Sequence, residues 1–324
     1  MKYIVIDIAK SSFVAAFPKG AGYTTATYNN NRNGISIFLS KLNKCLDHFV
    51  LEATGNYGCL LVEMLLEAGL SVSVFNPKQI KHFSKVVHYI TKTDKVDAKL
   101  ISLYGSKMSP KPYKMPVASI QALKQQKTLF AQFKKQLTMC YNFLESFSVL
   151  PKPDTVSLTM VKQNISYLEE QIAVLEQEML SMTQERCKEL YAQISSIKGI
   201  GDRTTMELIV ATAGGHHFES AKQFSKYVCL APTYEYSGSS VRKKGNINRH
   251  GNPQLRSLLY IASWSAIRFN KACKDFYERL KERGKPGKVA LIAVANKLIR
   301  QVFAIMRDHT FYLDGHLSKL KANA

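Results

Sequence analysis

Apolar and polar positions alternate in short runs over the first hundred residues and then take up helical spacing for most of the rest. Residues 2–8 read as a strand, with 11–17 and 23–28 as its antiparallel neighbours and turn chemistry in 18–22 between them. Residues 35–46 have helical spacing. Residues 49–53 form a strand that ends near Glu52, and 57–68 a helix closed by Gly69. Residues 70–75 form another strand, and Asn76-Pro77 opens the helix that follows. Three strands followed by helix-strand-helix-strand-helix is a mixed α/β order. It fits an RNase H-like core, in which acids cluster at the ends of adjacent strands.

Residues 107–116 carry three prolines and read as a linker. Helical texture follows. Residues 123–147 are rich in Lys, Gln and Phe, and Ile165, Leu168, Ile172, Leu175, Met179 and Met182 make a heptad seam. Pro151 and Pro153 separate the two stretches, which predicts an antiparallel helical hairpin or an interrupted coiled coil. The seam is also the expected route to dimerisation. Near residue 190 the texture changes again. Residues 194–201 (Ile-Ser-Ser-Ile-Lys-Gly-Ile-Gly) precede a helix starting near Asp202, and the Gly-Ile-Gly turn resembles a helix-hairpin-helix element. Three parts are expected: 1–112, α/β RNase H-like; 113–190, helical or coiled coil; 191–324, a mainly α C-terminal domain.

Composition sharpens the picture at one point. The 45 Lys+Arg against 24 Asp+Glu give a net charge of +21, which favours a polyanionic partner, nucleic acid first. No apolar run approaches the roughly 18 residues that span a bilayer, and Asp7 and Lys10 break the N-terminal apolar stretch that could pass for a signal peptide. No membrane association is expected, and a cytoplasmic protein working at the nucleoid is. The six cysteines form no Cys-x-x-Cys pair, which supports neither a zinc site nor a disulfide framework. The pair His216-His217 lacks a carboxylate or cysteine partner at ligand spacing.

Four acids stand where acids are awkward in a fold. Asp7 follows Tyr3-Ile4-Val5-Ile6, and Glu52 follows Phe49-Val50-Leu51. Asp94 and Asp97 stand at i and i+3 of a helix start, which puts them on one face. Carboxylates gathered this way repel unless a cation lies between them, and an oxygen-only set suits Mg²⁺ or Mn²⁺. Two such ions on a phosphodiester is the arrangement of nucleases and polynucleotidyl transferases. A second polar centre lies in residues 234–245, where Ser237-Gly238-Ser239-Ser240 runs into Arg242-Lys243-Lys244. Small residues let backbone approach a phosphate and the cations neutralise it. A solvated surface loop has the same composition. From 242 to 300 there are 15 Lys+Arg against 3 Asp+Glu, with aromatics interleaved, which fits a backbone-binding surface. Lys198, Gly199 and Gly201 of the glycine turn, Ser239, Ser240, and the cations Arg242, Lys243, Lys244 and Arg249 are the candidate nucleic-acid contacts, and His250 a phosphate contact or turn cap.

These motifs resemble one known family over nearly the whole chain. Ile6-Asp7-Ile8-Ala9-Lys10, Leu51-Glu52-Ala53-Thr54-Gly55, Asn76-Pro77 and residues 92–98 are similar to the RuvC-like domain of the DEDD transposases of insertion-sequence family 110, which include the Piv-type (Piv/MooV-like) DNA invertases. Ile197-Lys198-Gly199-Ile200-Gly201, Leu230-Ala231-Pro232 and Tyr236-Ser237-Gly238-Ser239-Ser240-Val241-Arg242 are similar to its C-terminal part, in the same order. The resemblance implies that Asp7, Glu52, Asp94 and Asp97 bind Mg²⁺. It implies that Ser237 attacks a DNA phosphate, forming a phosphoserine intermediate before strand exchange. It also implies double-stranded donor and target DNA, an element-encoded guide (bridge) RNA, and a homo-oligomer, dimer or tetramer. Two other readings compete. A RuvC-type junction nuclease would use water and would not need Ser237. A decayed, non-enzymatic nucleic-acid-binding scaffold would not need the four acids. Site-specific inversion is a variant of the first reading.

Overall fold

A computed structural model of the chain describes residues 2–20, 22–42, 47–53, 55–87, 94–215, 218–237, 241–247 and 251–314, with side chains described for these apart from 2, 47, 94–99 and 233–246. Two compact units divide it, Met1–Met115 and Pro116–Ala324.

The first unit is a five-stranded mixed sheet. Strands β1 (Lys2–Ile8), β2 (Ser12–Lys19) and β3 (Gly22–Asn29) form an antiparallel meander, and β4 (Asp47–Glu52) and β5 (Ser71–Phe75) add parallel to β1, in the order β3-β2-β1-β4-β5. A mixed sheet with helices after β3, β4 and β5 is consistent with the RNase H-like core expected from the order of elements. The helices come from local signals. Helix α1 (Arg32–Ser40) begins before the predicted residue 35, because the Asn31 side chain accepts from the Gly34 N–H at 2.8 Å and caps it. A single 3-10 turn, Gly55–Gly58, leads into α2 (Cys59–Glu67). Asn76 and Gln79 form a reciprocal capping box at the start of α3 (Pro77–Val86). Helix α4 (Asp94–Met108) completes the unit.

Strand alternation divides the sheet into two cores. Ile4, Ile6, Ile8, Phe49 and Leu51 pack with Ile35, Phe38, Leu61 and Leu65 of α1 and α2. Val5 and Val50 pack on the other face with Ile80 of α3 and Leu100, Ile101 and Tyr104 of α4. The proline-rich stretch predicted as a linker is stitched to the edge of the sheet over part of its length. Tyr113 N–H donates to Val72 O at 2.6 Å, and the Ser73 hydroxyl donates to Lys111 O at 2.8 Å. Ser73 also meets Nε2 of buried His48 at 2.8 Å, while the Ser71 hydroxyl meets His48 Nδ1 at 2.8 Å. Burial lowers the His48 pKa, so the ring is neutral and can donate at one nitrogen and accept at the other.

The second unit is built on one large core. Helices α5 (Ala118–Ser148) and α6 (Thr155–Arg186) form the antiparallel hairpin, with Asp154 capping α6 through the Ser157 N–H. The predicted seam closes within the chain: Ile165, Leu168, Ile172 and Met179 are buried on the same core as Phe130 and Leu137 of α5. The stripe expected to hold a second copy is therefore covered by the chain's own α5. Four helices and a hairpin follow: α7 (Lys188–Ser195), α8 (Asp202–Ala211), α9 (Ala221–Val228), β6 (Pro232–Ser237), β7 (Val241–Ile247) and α10 (Pro253–Phe269). Then come α11 (Lys271–Glu282) and α12 (Gly287–Asp308). By length and composition α12 could cross a membrane, despite Lys288, Lys297 and Arg300 within it. Here its apolar face, from Ala290 to Met306, forms the middle of the core.

Candidate functional site

Asp7 and Glu52 are brought together by register. Ile6 pairs with Leu51 across the parallel β1–β4 ladder, so one step further along lie Asp7 and Glu52. Alternation puts Asp7 on the side of Val5 and Glu52 on the side of Val50, the face covered by α3 and α4. Asp7 is exposed and Glu52 half-buried. Asp94 and Asp97 occupy the first and fourth positions of α4, the helix that packs Leu100, Ile101 and Tyr104 on that face. Their side chains lie outside the described set, and among the described residues no group of three or more His, Cys, Asp or Glu could hold a metal ion. The donor chemistry still fits a hard divalent cation. Two carboxylates at adjacent strand ends, both reaching solvent, offer only oxygen.

Ser237 has a definite backbone setting. It is the last residue of β6 and pairs with Val241, the first residue of β7. The stretch read as a loop is thus a two-stranded ribbon, in which Tyr236 pairs with Arg242 and Glu235 with Lys243, with an irregularity between Thr233 and Glu235. Its β-branched and aromatic residues (Thr233, Tyr234, Tyr236, Val241) around a Gly-Ser turn were the hairpin signal that composition obscured. Ser239, Ser240, Arg249, His250, His216 and His217 lie outside the described residues, as do the side chains of Arg242, Lys243 and Lys244.

The glycine turn between α7 and α8 has a packing role of its own. Gly199 has φ +101°, and a Cβ there would stand 2.6 Å from the Ala266 Cα on α10. Gly201 N-caps α8 with no side-chain cap and with open space around its Cα. Lys198 is engaged: Nζ lies 2.7 Å from the Asp314 carboxylate. That bond and a second from the Tyr312 hydroxyl hold the Asp314 carboxyl below its usual range. The Ser196 hydroxyl accepts from Tyr312 N–H, and Asn270 Nδ2 donates to Lys198 O. Lys198 stays 54% exposed, so a nucleic acid reaching it would share its ammonium with Asp314. Of the aromatics interleaved with cations, Trp264 and Phe269 are exposed on α10, whereas Phe276 and Tyr277 pack on the core, with Arg279 and Lys297 over the Phe276 ring.

Comparison with known proteins adds a second line of support. A family model described as transposase, of the DEDD type of IS110 elements, matches residues 4–147, and one described as "Transposase IS116/IS110/IS902 family" matches residues 191–278. A pilin gene-inverting protein of Moraxella bovis is 31% identical over 320 residues, covering 95% of this chain and 96% of that protein. Its counterpart in Moraxella lacunata is 30% identical over 319 residues, with the same shares covered. A protein of the insertion element IS110 of Streptomyces coelicolor is 34% identical over 157 residues, 48% of this chain and 36% of that protein.

Proposed function

The chain belongs to the IS110 family of transposases and is a DNA transposase or recombinase, and from that premise we propose that Ser237 attacks a DNA phosphate under the control of Asp7, Glu52, Asp94 and Asp97. The observation that carries this reading is the meeting of Asp7 and Glu52 on one face of adjacent parallel strands, facing the helix that begins with Asp94. Bound Mg²⁺ would offset the mutual repulsion of four carboxylates gathered there and stabilise charge on a phosphate.

Ser237 contributes the nucleophile. Its hydroxyl oxygen forms a bond to phosphorus as one phosphodiester P–O bond breaks. The serine proton leaves to a base, and the departing strand ends in a hydroxyl after taking up a proton. An acid of the cluster is the available base. Reversal of this step on a second strand end rejoins the DNA with no net hydrolysis, so each phosphodiester broken is replaced by one formed. By register, position 243 shares a side of the ribbon with position 237, while 242 and 244 fall on the other. Lys243 is accordingly the cation suited to the attacked phosphate, with Arg242 and Lys244 suited to flanking ones. An RNA guide would choose the sites by base pairing, leaving the protein to hold backbones with its +21 charge.

Inversion of a DNA segment is favoured over insertion by one specific observation. Similarity to the pilin gene-inverting proteins runs over 95% of the chain, whereas the IS110 element protein matches over 48%.

The test is a protein–DNA adduct stable to SDS, formed with Mg²⁺ and labelled DNA carrying the recombination junction. The wild type is expected to form it, and Ser237→Ala, Asp94→Ala and wild type in EDTA are not. Cleavage without an adduct, unchanged in Ser237→Ala, would replace the serine mechanism with water-mediated cutting.

A further inference from the structure

A cavity of about 550 Å³ opens in the second unit between α5, the end of α8, the end of α9 and the start of α10. Lys124, Lys127, Thr128, Tyr227 and Gln254 supply its polar lining. It is distinct from the four acids, the Ser237 ribbon and the glycine turn.

The charges in the cavity do not balance. Lys127 is compensated, since its ammonium pairs with the carboxylate of Glu207, a residue 3% exposed on α8. Lys124, one helical turn earlier on α5, has no ion-pair partner among the described residues. Lys124 is exposed by area, like Lys135, but burial of its cavity-facing side lowers its pKa. A partly desolvated cation is costly until an anion joins it.

The same wall presents the beginning of a long helix. Asn252 caps α10 through the Leu255 N–H at 3.1 Å, Pro253 fills its first position, and Gln254 faces the cavity. This helix start is fixed rather than fraying. A Cβ at Gly251 would stand 2.5 Å from both Cys229 Sγ and Tyr227 O, Asn252 N–H donates to Tyr227 O, and Arg256 donates to Val228 O. The positive end of the α10 dipole and the unpaired ammonium of Lys124 thus meet in one rigid concavity.

We propose that this cavity is a phosphate seat for a nucleic-acid backbone, in which Lys124 and the start of α10 hold one phosphodiester. The inference rests on the reading that the protein handles DNA. Its place in the chain gives the seat a use. Residues 248–250 alone separate Gly251 from β7, and Leu230, beside the end of α9, leads into β6. The ribbon bearing Ser237 therefore springs from the cavity wall. A strand anchored there would be held at the root of the ribbon while another of its phosphates meets the tip, about 17 Å away for a strand of this length.

The experiment compares the salt dependence of binding by the full-length wild type, Lys124→Gln and Lys135→Gln, a change of an exposed lysine on α5 outside the cavity. Lys127 is left intact because its loss would strand Glu207. Each protein is titrated with duplex DNA and, separately, with a structured RNA, and thermal unfolding checks folding. The expected result is that Lys124→Gln lowers the slope of log K against log salt by about 0.7–0.9, one phosphate contact, on one of the two nucleic acids, and that Lys135→Gln does not. The arm that responds identifies the source of the phosphate. Unchanged slopes in both arms, or equal changes in the two variants, would overturn the phosphate seat while leaving the proposed recombinase standing. A wild type that binds neither nucleic acid would overturn both.

Discussion

Gly199 and Gly201 look equivalent in the sequence and differ in what the fold asks of them. Gly199 combines a positive φ with a Cβ position inside the α10 backbone, so Gly199→Ala must both strain its own backbone and push Ala266 away. A loss of about 2–3 kcal/mol is expected, combining strain in the left-handed region with a backbone clash. Gly201 has ordinary φ and open space around it. Gly201→Ala is expected to cost under about 1 kcal/mol, the difference between a glycine and an alanine N-cap. Chemical denaturation of the two variants measures the contrast, and equal losses would remove the packing explanation. Cysteine at residue 273 teaches the same lesson about reactivity. Burial pushes its thiol up to about 12, so it is an unreactive core group and not a nucleophile. The acids proposed to hold metal stood out as individual residues because an acid ending an apolar strand has few packing explanations. Ser237 was legible only through its resemblance to a motif, since a serine beside glycine is common in any turn.

At the scale of elements, β1 and β4 could be read because their apolar runs stop at Asp7 and Glu52, and β5 because its run stops at Asn76-Pro77. The β6–β7 ribbon could not, because a ribbon with cations on one strand lacks the apolar alternation that marks a half-buried sheet. The hairpin of α5 and α6 was legible from its period, but its partner was not. A seam written at heptad spacing does not say whether the covering helix is in the same chain. Because α5 covers it, Leu168→Ala is expected to destabilise the second unit by about 2–5 kcal/mol, whereas Met160→Ala, 65% exposed on the same helix, should change stability by under about 0.5 kcal/mol. The Ser71–His48–Ser73 chain makes a pH prediction. With the folded pKa below the ordinary 6.5, the unfolded chain takes up the proton first as pH falls. This contribution to stability is present above the unfolded pKa and lost as pH falls below about 6.5. Urea midpoints between pH 7.5 and 5 should therefore fall less steeply in His48→Asn than in the wild type. Identical slopes would show that His48 titrates freely.

At the scale of the whole molecule, the chain divides into two units, each with its own apolar packing. The apolar residues of the sheet and those of the helical unit form separate clusters. Three prolines marked residues 107–116 as a linker in the sequence, with a boundary expected after 112, whereas the two units divide after 115; the strapping of residues 111–113 to β5 was not legible, since backbone hydrogen bonds leave no mark on composition. Limited proteolysis should accordingly spare residues 111–113 and cut near 116–117. Net charge works at this scale too. With +21 on the chain, binding to duplex DNA without a recognition site should weaken steeply between 50 and 200 mM salt, and a flat salt response would mean that the charge is not spent on phosphates.

The strapping of β5 has a bearing on how the protein behaves at high concentration. An open sheet has two rows of backbone groups available for pairing with another molecule, and each is an aggregation hazard. On β5, Tyr113 already donates to Val72. The other margin is β3, Gly22–Asn29, which among the described residues pairs only with β2 and carries no charged side chain to discourage a newcomer. Clumping through strand addition should thus be one-sided, beginning at β3. A single lysine in place of exposed Thr25 would be enough to raise solubility, and the same change on the strapped side would do little.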